Sequence, residues 1–410
     1  MRDVEIDPAQ IDVVSNDVYL DGVPHEALAY LREHAPVFHQ RVPDPTLEDE
    51  VWVVTRAALT REIGFDPETY SSEANGVQLR RDRVGEELRV TPGTFITRDD
   101  PDHVRLRRLV ARAFTPKVVK TFAAHYARLA REVLDEALAA ERFDFVAEVA
   151  AELPLRAICQ LLGVPEQDRA RVLRWANTIV GYDDPEYGGT RAEAGHAVAE
   201  LCRYTLALAD ARRADPGQDL LSGLACAPPA HRLADDELEG VVLLLLAAGT
   251  ETTRNNITLG LLALMDHPDQ LAALRARPDD LLDNAVEEIT RWVSPVNYMA
   301  RTVTRDTELG GTRLRAGDRV AMFYSAANRD PELLPAADRF DVARPVPHHL
   351  AFGVGRHFCL GAHLARIETR SLLAELLPRI DEIQLDGPVV PLRSSFVHGV
   401  KHLPVRVRAA

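Results

Sequence analysis

Phe352-Gly353-Val354-Gly355-Arg356-His357-Phe358-Cys359-Leu360-Gly361 runs straight into a helical pattern near the C-terminus. The glycines at 353 and 355 can take backbone angles that a Cβ forbids, so the loop can fold tightly around the sulfur. Cys359 stands at the N-terminus of the helix that Leu360 opens. The first helical N–H groups point back at the sulfur, which lowers its pKa and favours the thiolate. Gly361 leaves room for a flat cofactor against the first turn. A lone cysteine is ordinarily a small core residue. The setting of Cys359 is instead the one an anionic axial ligand to a metal requires.

Upstream, a long helical pattern from about Asp235 to Asp266 carries Ala248-Gly249-Thr250-Glu251-Thr252-Thr253 directly after the apolar run 241–248. An acid beside an alcohol inside a buried helix is unusual, because both compete for solvation that the interior does not give. Gly249 weakens the helix by about 1 kcal/mol relative to alanine. Two explanations stay open here: a ligand lying against the bare backbone, or a kink in which Thr252 bonds a preceding carbonyl. Glu288 and Arg291 are three residues apart on one helical face, ordinarily a weak surface pair. His103 and Arg107 share another face at i,i+4.

Around these motifs helical periodicity dominates, with helices expected at 24–34, 101–113, 116–140, 147–162, 166–181, 191–214, 268–276 and 280–292. Strands are expected at 37–42, 51–55, 300–304, 307–309, 312–314 and 319–321, with Gly310-Gly311 as a hairpin turn, and strand character in the tail from Ile383. The stretch 65–100 holds no sustained period and reads as a functional loop. Tyr182 to Thr190 breaks the helical series with turn residues.

The bulk numbers suit an enzyme-sized globular body: 410 residues, 46% hydrophobic and 27% charged. A formal charge of −15 disfavours a nucleic-acid partner. The longest apolar run is too short to cross a bilayer, and no basic start precedes a hydrophobic stretch, so a cytoplasmic protein without a membrane anchor is expected. Four cysteines without paired spacing suggest neither a zinc site nor a disulfide framework.

The ten-residue cysteine string resembles the haem-binding loop of cytochromes P-450, and the acid–alcohol segment resembles that family's oxygen-binding groove. The resemblance runs from His103 to the terminal strands. It implies a mainly α fold over residues 1–410, one large α-rich domain with small peripheral β-sheets. Haem b would lie between the long central helix and the cysteine-loop helix. Residues 349–361 would form the haem-binding loop, and 65–100 and 181–190 the substrate-covering loops. By the same resemblance Cys359 holds the iron, and Glu251 and Thr252 relay protons toward dioxygen. Ala248, Gly249, Phe352 and Gly361 would face the haem. His103, Arg107, Arg301 and His357 would meet its propionates. Glu288, Arg291 and Arg339 would form a structural network.

The implied reaction splits dioxygen, places one atom in a C–H bond of a lipophilic molecule and releases the other as water. Without a flavin or iron–sulfur motif in the chain, its electrons come from NAD(P)H through a separate ferredoxin and ferredoxin reductase. Arg105, Arg108, Arg112 and Lys117 could form a basic patch for that ferredoxin. A monomer is expected. Val77, Leu79, Leu244, Val296 and Met299 are the expected substrate contacts. The sequences 182–187 and 292–296 look like actinobacterial members that hydroxylate sterols, terpenoids or branched lipids, with macrolide-tailoring enzymes as the alternative. Arg80, Arg81 and Arg83 read as an exposed charge cluster more readily than as a carboxylate site. A haem-thiolate sensor without turnover is the alternative of a different class, and it has no use for Glu251-Thr252.

Overall fold

The computed structural model describes residues 11–80, 94–115, 122–180, 184–187, 190–345 and 348–409. Helices carry most of the chain. They are α1 (His25–His34), α2 (Ala57–Phe65), α3 (Asp102–Ala111), α4 (Ala123–Ala137), α5 (Glu152–Leu162), α6 (Arg169–Val180) and α7 (Arg191–Ala214). After them come α8 (Leu220–Ala225), α9 (Asp235–Asp266), α10 (Pro268–Ala276), α11 (Pro278–Val293), α12 (Tyr324–Ala327) and α13 (Ala362–Leu376).

The axis of the molecule is α9, which packs against α5, α6, α7, α11 and α13. Asp235, Asp236 and Glu237 fill its first turn, where the helix dipole favours negative charge. Ala234 offers no side-chain cap, but the Glu237 carboxylate accepts its backbone N–H at 3.0 Å, half of a capping box. His267-Pro268 ends the helix. Leu238, Val241, Val242 and Leu246 of α9 join Val133, Leu153, Ile158 and Leu376 in the largest apolar cluster. That cluster fixes α9 against the helix that follows the cysteine loop.

A five-stranded sheet lies to one side. Its strands are β1 (Val37–Arg41), β2 (Glu50–Val54), β3 (Tyr70–Ser71), β5 (Tyr298–Val303) and β8 (Arg319–Phe323), in the order β1-β2-β8-β5-β3. Among the described residues only β2 and β8 pair in parallel. The remaining sheets are small: β6 (Thr307–Leu309) with β7 (Thr312–Leu314), β4 (Arg142–Asp144) with β12 (Pro404–Ala409) and β9 (Ile380–Leu385), and β10 (Val390–Pro391) with β11 (Val400–His402). The mainly α architecture with peripheral sheets is the one the sequence led us to expect.

Several boundaries differ from the periodicity. The expected helix at 147–162 splits into a π-turn over Val146–Ala150 and then α5, because Pro154 has no N–H to offer the Ala150 carbonyl. The N–H of Ala151 reaches Val146 O instead, at 2.9 Å. The start of the helix expected at 116 lies outside the described residues. Helix α2 carried too short a pattern to be anticipated, with only Ala57, Thr60 and Ile63 turned inward. The strand expected from Ala300 begins earlier, at Tyr298. Leu360 does not open a helix: α13 starts at Ala362 with Gly361 as its N-cap, and Leu360-Gly361 form a turn.

Candidate active site

The cysteine loop is held by its own backbone and by α2. Cys359 N–H donates to Phe352 O at 2.8 Å, and Phe358 N–H to Gly355 O at 3.1 Å. Gly353 and Gly355 have φ of +69° and +74°, a region that side chains rarely enter. At Gly355 a Cβ would also lie 1.8 Å from Gly64 O, so α2 packs directly on the loop backbone. The Cys359 sulfur accepts the N–H of Gly361 and lies near Arg107 and Arg366, yet burial outweighs all three and pushes the thiol up. The expected lowering by the helix start is therefore reversed. One N–H and two guanidiniums do not offset desolvation, so the protein alone leaves the thiol protonated, and a metal bound there would favour the thiolate.

Beside the sulfur lies a cavity bounded by the cysteine loop and α13 on one face and by α9 on the other. Phe352, Phe358 and Gly361 line the first face, and Leu244, Leu245, Ala248, Gly249 and Thr252 the second. Packing does not require glycine at 249, since a Cβ there would make only ordinary contact with Ile158, at 3.4 Å. The far wall is hydrocarbon from Phe95, Ile96, Pro295, Val296 and Met299. Leu244, Val296 and Met299 thus stand where they were expected, but Val77 and Leu79 do not. The Val77 carbonyl accepts the Ala300 N–H at 2.8 Å, and Leu79 is fully buried among Val13, Leu28 and Tyr298. Their segment extends the sheet rather than walling the cavity. Arg80 lies with Glu48 and Glu50 in a separate surface groove, while Arg81 and Arg83 fall outside the described residues.

On α9 the two open explanations of the acid–alcohol segment meet. Thr252 Oγ1 donates to the Ala248 carbonyl at 2.6 Å and also lines the cavity. Glu251 points elsewhere. It is buried and accepts from Arg254 at 2.5 Å, while Arg254 reaches Asn177 at 3.3 Å and lies 5.5 Å from the Tyr187 ring. Burial raises the Glu251 carboxyl against the pull of Arg254. The alcohol faces the chamber and the acid waits behind it.

One rim of the cavity gathers two guanidiniums and two imidazoles. Arg107 and Arg301 line it, His357 stands with them, and the His103 ring stacks 4.2 Å behind His357. Arg301 is buried, bonds only its neighbour's carbonyl (Ala300 O, 2.7 Å), and forms no ion pair among the described residues. His103 Nδ1 lies 3.7 Å from the Asp100 carboxylate, and neither ring nitrogen makes a closer hydrogen bond among the described residues. Burial, then Arg301, His103 and Arg107, push His357 down to about 2. Arg107 donates to Phe358 O at 2.6 Å and His357 pairs with Ser72 Oγ at 3.1 Å, but the buried Arg301 guanidinium is short of acceptors, which fits a group that brings an anionic edge. Haem has that edge in its two propionates, and its flat face suits the glycine at 361 and the glycine at 249. The donor set and the cradle fit the cofactor.

Behind the loop, Glu288 and Arg291 are fully buried and joined by two hydrogen bonds, at 2.7 and 2.8 Å. Arg291 also donates to the carbonyls of Asn328 and Ala337 at 2.7 Å and of Arg339 at 3.2 Å. The third charged member is Arg344, whose Nε lies 3.5 Å from Glu288. Arg339 was expected there and is corrected: its side chain is exposed, and it contributes only its backbone carbonyl. The turn at Ala336, with φ of +50°, faces Arg339 outward and lets Arg344 fold back across it. Sequence reasoning also passed over Tyr324, Asn256 and Glu368, all on the cavity wall. For Glu368 the signal was a carboxylate in the otherwise apolar stripe of α13.

A single thiol beside a flat chamber, with a cationic rim and an alcohol on the long helix, is the arrangement a haem-thiolate oxygenase needs. The comparisons agree. The sequence model of the cytochrome P-450 family matches residues 196–381. The Methyl-branched lipid omega-hydroxylase of Mycobacterium bovis is 38% identical over 415 residues, 98% of this chain and 95% of that protein. The Steroid C26-monooxygenase of Rhodococcus jostii is 36% identical over 412 residues, 98% of this chain and 86% of that protein. A Mycobacterium marinum cytochrome P-450 solved in complex with pseudoionone superposes with a TM-score of 0.89 at 37% identity, covering 97% of this chain and 98% of that one. The chain belongs to the cytochrome P-450 family. It is a haem-dependent monooxygenase that hydroxylates a lipophilic molecule with dioxygen and electrons from a redox partner. The sensor alternative falls with that assignment. No helix among the described residues is long and apolar enough to cross a membrane.

Proposed function

We propose that this enzyme hydroxylates the hydrocarbon part of a sterol, a terpenoid or a branched lipid, with Cys359 as the iron ligand and Glu251 and Thr252 as the proton relay. The observation that carries this reading is the placement of the Thr252 hydroxyl. It opens into the chamber from the same turn of α9 as Ala248 and Gly249, between the sulfur side and the apolar far wall. When bound, haem supplies the iron that activates dioxygen, and thiolate donation favours O–O cleavage.

The chain's own residues do the rest. Arg107, Arg301, His357 and His103 hold the propionate edge. Leu244, Val296 and Met299 exclude water and seat the substrate by burial of hydrocarbon. The Thr252 hydroxyl hands on a proton, and Glu251 replenishes it when the Arg254 pair loosens. The named relatives act on a steroid and on a methyl-branched lipid, which supports substrates with branched alkyl ends over macrolides. Electrons come from a ferredoxin and its reductase, and the enzyme works as a cytoplasmic monomer.

Two spectra test the reading. The reduced protein should form a carbon-monoxide complex with the thiolate-type absorption. Sterols and branched fatty acids should then shift the ferric spin state at low concentrations. A carbonyl complex of imidazole type would remove Cys359 as ligand, and spin shifts confined to macrolides would move the substrate class.

A further inference from the structure

The apolar wall that carries Val296 is held from behind by segments far from it in sequence. Strand β5 begins only at Tyr298, so the sheet does not hold residues 295–297. Their support is an antiparallel pairing with residues 395–398, besides the Tyr324 and Ser325 N–H groups on the Asn297 carbonyl at 2.7 and 3.4 Å. His398 N–H donates to Pro295 O at 2.9 Å, Asn297 N–H to Phe396 O at 2.9 Å, and Val296 bridges Val397. Two side-chain amides then hold the backbone of Ser395. Asn297 Nδ2 donates to Ser395 O at 3.1 Å, and Asn16 Oδ1 accepts the Ser395 N–H at 2.9 Å. Asn16 opens a short helical turn (Asn16–Asp21), and its own N–H donates to the Asp44 carboxylate at 3.2 Å.

Asn16, Ser395 and Asn297 are all buried, and none of them lines the chamber. Asn16 Nδ2 and Asn297 Oδ1 have no partner among the described residues. A buried amide atom left unpaired costs free energy, and an apolar side chain would fill the same space without that cost. The two amides are therefore explained by where they hold the Ser395 peptide, not by the stability they add. We propose that Asn16 and Asn297 are positioning residues for substrate specificity: through Ser395 they fix how far Val296 stands into the chamber, and so which carbon of a branched alkyl end is presented for oxidation. The inference rests on the monooxygenase reading above and on its lipophilic, branched substrate. Small displacements suffice, because a misplacement on the order of 1 Å costs about a hundredfold in rate. The N-terminal segment thus reaches the site through one peptide, without touching the substrate.

The test uses the haem-loaded enzyme with two probes, an iso-branched hexadecanoic acid and cholesterol, and follows whichever shifts the wild-type spin state more strongly. Asn16→Ala should keep the thiolate-type carbon-monoxide spectrum. It should raise the probe concentration for a half-maximal spin shift severalfold and spread hydroxylation over more than one carbon. Asn297→Ser, which withdraws the other grip, should spread the products in the same direction. Leu274→Ala is the control for lost stability: it opens the separate apolar cluster of α10 and α11 and should leave the product position as in the wild type. One product position in both amide variants, or an equal spread in Leu274→Ala, overturns the proposal. A wild-type enzyme whose spin state responds to neither probe overturns the substrate reading beneath it, a different failure with a different signature.

Discussion

Arg339 and Arg344 are five residues apart, and only the second turns inward. Glu288 and Arg291 are fully buried, so removing a charged partner leaves an uncompensated ion, which costs about 3–5 kcal/mol. Glu288→Gln should therefore yield little haem-bound protein, and Arg344→Ala should also lower the unfolding midpoint, while Arg339→Ala changes it little because only its carbonyl is used. Denaturation of the three variants side by side checks this. At Thr252 the hydroxyl is part of the chamber wall, and Thr252→Ala should divert reduced nicotinamide to peroxide with little loss of substrate binding. Tight coupling in that variant would remove the relay. The cysteine, the acid and the alcohol stood out by residue type and neighbours, and their roles came from the family resemblance. Which of two arginines completes a network was not, because a turn with one residue at positive φ decides it, and pattern carries no sign of that turn.

Among the elements, the cysteine loop and α2 are locked backbone to backbone. Gly355→Ala sets a Cβ against Gly64 O at a positive φ, which should destabilise the chain by about 2 kcal/mol or more. Gly361→Ala meets nothing within 4 Å and sits at an ordinary φ of −83°. It should leave the melting temperature of haem-free protein unchanged and weaken haem retention, since its position lines the chamber. Calorimetry of the haem-free variants separates the two. The long helix was readable from its period and its proline stop, as was the glycine hairpin between β6 and β7. Helix α2 was not, although it shapes the loop, because nine residues with three inward positions look like any short amphipathic stretch. Val77 and Leu79 were misplaced for a related reason: an apolar residue in an irregular segment suits a sheet edge as well as a cavity wall.

For the molecule as a whole, charge and protonation set the working range. His398 donates through Nδ1 to Val293 O at 2.7 Å, and burial, with Arg329, pushes it down to about 4. Its folded value lies below the unfolded 6.5, so between these limits the unfolded chain binds the extra proton and stability falls as pH drops. The loss should be on the order of 3 kcal/mol over that window, and His398→Gln should flatten the dependence of the denaturation midpoint on pH. The basic patch is smaller than the sequence suggested: Arg105 is paired with Glu237 and Asp102, Lys117 lies outside the described residues, and Arg108 and Arg112 remain exposed on one side of α3 and its extension. Electron delivery should still slow with ionic strength, and a flat salt profile in stopped-flow reduction would exclude those two residues.

The rim proposed to hold the propionates draws on residues from 103 to 357, and the sulfur comes two positions later. Such a grip exists only once the chain has been made and folded past residue 359. A prosthetic group that clings to the native form alone raises its population by mass action. In a cell short of iron or porphyrin, the enzyme's abundance should therefore drop through proteolysis of unliganded chains, so that supply of the pigment governs quantity before it governs turnover.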